Sequence, residues 1–146
     1  MPRPRLSRSR RFLDQARAYA EAAATLGLGG VGPAIVAPYF MLVAHSAELA
    51  LKAVIAEGDA DDEQLILLGH DLHLCLRYAI KGGLEVGPPG GPIAAVIRDL
   101  AMPHLAQVLR YPAYLAWPLP EPDHALGALS ALLAQAEAAL AAPRRS

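Results

Sequence analysis

His45, Glu48 and Lys52 stand at positions i, i+3 and i+7 of a segment, residues 36–57, that is otherwise almost wholly apolar. A helix turns about 100° per residue. With Val36 at zero, Phe40, Val43, Ala47 and Val54 gather on one side, and Glu48, Lys52 and His45 on the other. An imidazole, a carboxylate and an ammonium in one stripe are the parts of an acid–base or ligand-binding site, and buried charge must find partners. Glu48 and Lys52 are also an i,i+4 pair in the favoured order, so a self-satisfied ion pair with His45 beside it is the structural alternative. Leu42, Leu49 and Ala53 on one flank and Ala44 and Ile55 on the other leave this helix apolar nearly all round, the pattern of a central, buried element.

Three further groups of residues carry reactive chemistry. His70 follows Gly69 and precedes Asp71, at the mouth of a helix, where hydrogen bonding is its expected role. His70 and His73 are three apart, but no third ligand lies near in sequence, and no metal site is expected. Arg98-Asp99 is followed by His104, immediately after Pro103. In a straight helix Arg98 and His104 point about 120° apart. Proline disfavours helical geometry at Met102, so two arrangements are open. Either Arg98 and His104 converge at the break, or Arg98 pairs with Asp99 at the surface while His104 packs at a kink. Arg110-Tyr111-Pro112 closes the next piece, and Tyr114 and Trp117 lie in the proline-rich stretch beyond it, placed to cover the core edge rather than to stack on nucleic acid.

The elements that must position these residues are helical. The chain has 146 residues, enough for one domain with a real core and too few for two of ordinary size. Hydrophobic residues make up 54% and aromatics 5%. Ala and Leu dominate and β-branched residues are scarce, which favours an all-α fold. A first helix is expected over residues 9–26. The glycine-rich turn from Gly27 to Gly32 follows, with Pro33 at the start of the central helix and Pro38 bending it or moving its start. Asp59, Asp61, Asp62 and Glu63 read as an acidic loop, without the glycine and closing glutamate of a calcium loop. Leu65 to Leu68 is a short apolar stretch. A further helix spans residues 71–80, capped by Asp71 and closed by Lys81-Gly82-Gly83. Gly87 to Pro92 breaks the chain, a helix begins near Pro92, and the last one begins near Asp123 and ends at Pro143.

Composition also excludes function classes. The net charge of −1 offers no overall field for nucleic acid. Arg3, Arg5, Arg8, Arg10, Arg11 and Arg17 crowd the start, which reads as a phosphate-contacting arm, an organelle transit peptide or, as expected here, a solvated basic leader over residues 1–8. Residues 9–142 form the domain and 143–146 a tail. Cys75 is the lone cysteine, so no internal disulfide or cysteine-based zinc site exists, and a reducing, cytoplasmic location fits. Glycines and Pro33 break the charge-free run from Ala22 to Ala47, so no membrane span is expected. There is no glycine-rich phosphate loop followed by lysine and no serine elbow, and no cofactor is expected.

Taken in order, His45-x-x-Glu48-x-x-x-Lys52, Gly69-His70-Asp71-Leu72 and Arg110-Tyr111-Pro112 give a chain that resembles the HEPN domains of bacteria, over roughly residues 36–112. The resemblance implies an up-and-down bundle of four to five helices, usually a homodimer, in a toxin-antitoxin, defence or stress system. Many members are metal-independent endoribonucleases marked by an Arg, a polar residue and a His four to six residues beyond the Arg. Arg98, Asp99 and His104 match that signature. On this reading His104 is the general acid or base for the 2′-hydroxyl and leaving oxygen. Arg98 holds the phosphate through its fork, and Asp99 orients the pair. His45, Glu48, Lys52, His70, Arg110 and Tyr111 are then the residues expected to face RNA or nucleotide. The alternative is a non-catalytic helical module that dimerises and docks a nucleotidyltransferase-type or antitoxin partner, or binds nucleotide. In it the polar stripe fixes the helices in register, with Glu48 accepting bonds from Lys52 and from His70 or Arg110.

Overall fold

A computed structural model of the chain describes residues 7–111 and 117–142, and within them there are six helices and no strand: α1 (Arg8–Leu26), α2 (Val36–Glu57), α3 (Asp62–Leu68), α4 (Leu72–Lys81), α5 (Pro92–Leu105) and α6 (Pro122–Ala141). The all-α class is as expected from composition. The number of helices exceeds four to five because the segment read as an acidic loop and apolar stretch is itself helical. Asp61 and Gln64 form a capping box there. The Asp61 carboxylate accepts the Gln64 backbone N–H at 2.8 Å, and the Gln64 side chain accepts the Asp61 N–H at 2.8 Å. Asp62 and Glu63 thereby sit in the first turn, where negative charge suits the helix dipole.

Helix α2 packs against each of the other five helices. With α1 and α6 it makes one mutually packed trio and with α4 and α5 another. Being covered on all sides explains its all-round apolar sequence. It starts at Val36, not Pro33, so Pro38 falls in the first turn, where the missing N–H has no intrahelical acceptor to lose. Between α1 and α2 the Ser46 hydroxyl donates to the Ala16 carbonyl at 2.6 Å, and both residues are fully buried. Leu13, Tyr39, Phe40, Leu51, Leu72 and Leu132 are among the largest fully buried side chains of the core.

The ends of the other helices follow local chemistry. Ser7 caps α1, accepting the Arg10 N–H at 3.1 Å. Helix α1 therefore begins one residue inside the segment assigned to a leader; residues 1–6 and 143–146 lie outside those described. Arg8 reaches Asp62 at 2.8 Å and Arg10 reaches Glu137 at 2.6 Å, so these two arginines tie α1 to α3 and α6 instead of extending as an arm. Glu121, not Asp123, caps α6, accepting the N–H groups of Asp123 and His124. Tyr39 anchors that corner by donating its hydroxyl to the Pro122 carbonyl at 2.9 Å. Trp117 is half-buried, as expected of a residue covering the core edge, and Pro112 and Tyr114 lie outside the described residues.

Two helices end in the same paired pattern with different residues. After α4 the Leu84 N–H reaches back to the Ala79 carbonyl and the Gly83 N–H to Ile80, both at 3.0 Å, with Gly83 at φ +108°. After α5 the Val108 N–H reaches Pro103 and the Gln107 N–H reaches His104, both at 3.1 Å. That is the Schellman arrangement, which wants a residue without a Cβ at the left-handed position, yet Gln107 occupies it at φ +58°. Gln107→Gly is therefore expected to stabilise the chain by about 1 kcal/mol. Gly83→Ala is expected to cost a similar amount. Both are read from the midpoint of urea unfolding.

Candidate functional site

One carboxylate gathers the polar residues of three helices. Glu48, 3% exposed near the middle of α2, accepts three bonds from side chains. Lys52 Nζ lies 3.1 Å from Oε2, one helical turn along. His70 Nδ1, from the turn between α3 and α4, and His104 Nε2, from the last turn of α5, each lie 2.8 Å from Oε1. An ionised carboxylate only accepts, so His70 carries a proton at Nδ1 and His104 at Nε2. Lys52 also donates to the Gly69 carbonyl at 2.8 Å. The same short turn thus bonds both ends of the α2 ion pair.

His45 completes the cluster without joining these bonds. Its ring meets Tyr19 edge-on at 4.6 Å and lies 6.4 Å from the His104 ring, while the His70 and His104 rings stand 5.3 Å apart. Its Nδ1 is buried with no hydrogen-bond partner. Burial holds the imidazole below its ordinary value. The Glu48 charge opposes that shift but is the smaller effect. Burial by itself would raise the Glu48 carboxyl, but the hydrogen bonds from His104 and His70 and the charge on Lys52 override it and hold the group at about 2. Cys75 is buried, and burial pushes its thiol up to about 12, so it is no nucleophile at neutral pH.

The stripe residues His45, Glu48 and Lys52 thus come together with His70 as expected, and His104 joins them. The remaining predicted residues stand elsewhere. Helix α5 runs on through Pro103 to Leu105 instead of breaking, so Arg98 and His104 keep their helical divergence. Arg98 is exposed and pairs with Asp99 at 3.4 Å, whereas His104 is 4% exposed and faces Glu48. Arg110 is exposed, influencing His45 through its charge, and Tyr111 is two-thirds exposed. His73 lies on the exposed side of α4, while His70 faces Glu48. The residues that sequence reasoning missed are His104 as a Glu48 partner, 56 positions away, and the Gly69 carbonyl as a Lys52 acceptor. Among the described residues the one group able to hold a metal ion is His45, Glu48 and His104, whose ligand atoms lie within 4.8 Å of one another.

The geometry sets two stability predictions. Glu48→Ala strands a buried ammonium and two imidazole donors and is expected to cost about 3–5 kcal/mol. Lowering the pH acts on the same bonds. A carboxyl held near 2 when folded and near its ordinary value when unfolded contributes roughly 3 kcal/mol above pH 4.5, lost as the pH falls toward 2. His45, favouring its neutral form when folded, adds to the loss from its ordinary value of 6.5 downward. Unfolding midpoints in chelator-treated buffer should fall on acidification, and less steeply in Glu48→Gln. Gly69 has φ +56° with no atom near the site of a Cβ. Gly69→Ala is therefore expected to cost about 1–3 kcal/mol through backbone strain alone. Scanned against protein-family models, curated proteins and solved structures, the chain finds no match in any of the three.

Proposed function

We propose that the chain is a HEPN-like helical binding module of the cytoplasm, a dimerising accessory protein of a toxin-antitoxin, defence or stress system that docks a nucleotidyltransferase-type or antitoxin partner. The observation that carries this reading is the set of large apolar side chains that α3 and α4 leave in water. On α3, Ile66 and Leu67 are 74% and 76% exposed, and on α4 Tyr78 and Ile80 are also exposed. Leu67 and Tyr78 line a groove of about 430 Å³ that also includes Ile55, Leu68 and Leu74. Large apolar side chains left in water beside a groove are a feature of contact sites. The Glu48 cluster fixes α2 against α5 and the α3–α4 turn, and α2, α3 and α4 all contribute residues to the groove.

The ribonuclease reading draws on the Arg98, Asp99 and His104 spacing and on the exposure of Arg98, whose guanidinium is open to a phosphate. It requires His104, now bonded to Glu48, to reach a 2′-hydroxyl within hydrogen-bond distance. A nucleotide at the polar stripe would likewise have to displace Lys52 from Glu48 and Gly69.

One set of measurements separates these readings. The module is expected to self-associate in light-scattering chromatography, and Ile66→Glu with Leu67→Glu to abolish association at unchanged helicity, since neither side chain is in the core. Structured RNA without metal should stay intact, and saturating nucleotides should leave the melting temperature unmoved. A chain that is monomeric at every concentration and cleaves RNA in a His104-dependent manner overturns the proposal.

A further inference from the structure

We propose that His45, Glu48 and His104 form a binding site for a divalent transition ion of the zinc class, which cross-links α2 to α5. Two imidazoles and one carboxylate are a recurrent ligand set for such ions, with a fourth position left for water or another donor. The three ligand atoms already lie within 4.8 Å of one another. Ligand atoms around a tetrahedral zinc ion stand about 3.3 Å apart. His104 Nε2 and Glu48 Oε1, 2.8 Å apart, are already close to that spacing. Closing the set therefore asks for a small approach by His45. His45 and Glu48 are i,i+3 on one helix, so their side chains project from adjacent positions of the same face.

Two independent observations point to an occupant. The Nδ1 of His45 is buried and has no hydrogen-bond partner, and a buried polar atom left unpaired is costly. The carboxylate is also furnished with the outer contacts that orient a metal-binding carboxylate. His70 Nδ1 donates to Oε1 and Lys52 Nζ holds Oε2. The His70 side chain is 34% exposed, which places the entry path on its side of the cluster. On coordination His104 exchanges its imidazole proton from Nε2 to Nδ1 through water, so the Nε2 lone pair meets the ion and the hydrogen bond to Glu48 is replaced by two metal bonds. The Lys52 ammonium opposes the incoming cation and makes this a weaker site than the same three ligands without it.

Cobalt(II) titrated into chelator-stripped full-length protein tests the proposal. One equivalent is expected to develop visible ligand-field bands that zinc abolishes. His45→Phe keeps the ring contact with Tyr19 while removing both nitrogens, and should weaken cobalt binding at least tenfold. His73→Ala and His124→Ala, both at exposed positions, should leave it unchanged. Absence of stoichiometric binding overturns the site, and so does binding that His45→Phe and Glu48→Gln leave intact. Should these variants fail to fold, imidazole nitrogen resonances of the unsubstituted protein decide. Shifts at His45 and His104 on adding zinc support the site, and shifts at neither overturn it.

Discussion

A carboxylate with almost no access to water must be answered by donors, and much of this fold is arranged to answer Glu48. Helix α2 supplies one donor itself, through Lys52. The other two come from His70 and His104, which belong to segments far apart in the chain. Desolvating the charge is costly, and the cost is offset only when every donor is in place. The cluster therefore specifies where α4 and α5 sit on α2, in a core otherwise mainly apolar, whose packing leaves more freedom to slide. Apolar contacts hold the helices together, and the polar cluster selects among the ways they can meet.

Much of this was legible in the sequence, and the parts that were not share a cause. The all-round apolar character of α2 marked it as central, and Asp71 and Lys81-Gly82-Gly83 marked both ends of α4. These are local signals, carried by residues within a turn or two of one another. Asp61 and Gln64 are also local, a capping box with the acidic member first, and the acidic run around them masked it as a loop. Pro103 pointed to a break that does not form, because α5 lasts only two residues beyond it and the proline is packed in the core. The expected partnership of Glu48 with Lys52 holds, and of His70 and Arg110, the two candidates for its second partner, His70 bonds it while Arg110 is exposed. The bond to His104 spans 56 positions and leaves no local trace.

The same divide separates the two parts of the candidate chemistry. Arg98, Asp99 and His104 are close in sequence, yet an unbroken α5 sends the histidine inward and leaves Arg98 in water with Asp99 half-buried beside it. Proximity along the chain is not proximity in space when a helix intervenes. His45 and His104 show the converse. Neither resembles a ligand pair by spacing, and packing of α5 on α2 brings them to one carboxylate. Chemistry in this molecule follows helix packing more closely than it follows motif order.

Gly69, His70 and Asp71 are three consecutive residues with three different obligations. The Gly69 carbonyl accepts from Lys52, the His70 ring bonds Glu48, and the Asp71 carboxylate caps α4 by accepting the Leu74 N–H. None of the three can be displaced by one position without breaking a bond to another helix. The connection from α3 to α4 is therefore fixed in length. Among the described residues, the turns at 27–35 and 83–91 have no comparable set of side-chain bonds to keep. Insertions or deletions in descendants of this sequence can accumulate in those two turns, while the three-residue turn must be inherited at its present length.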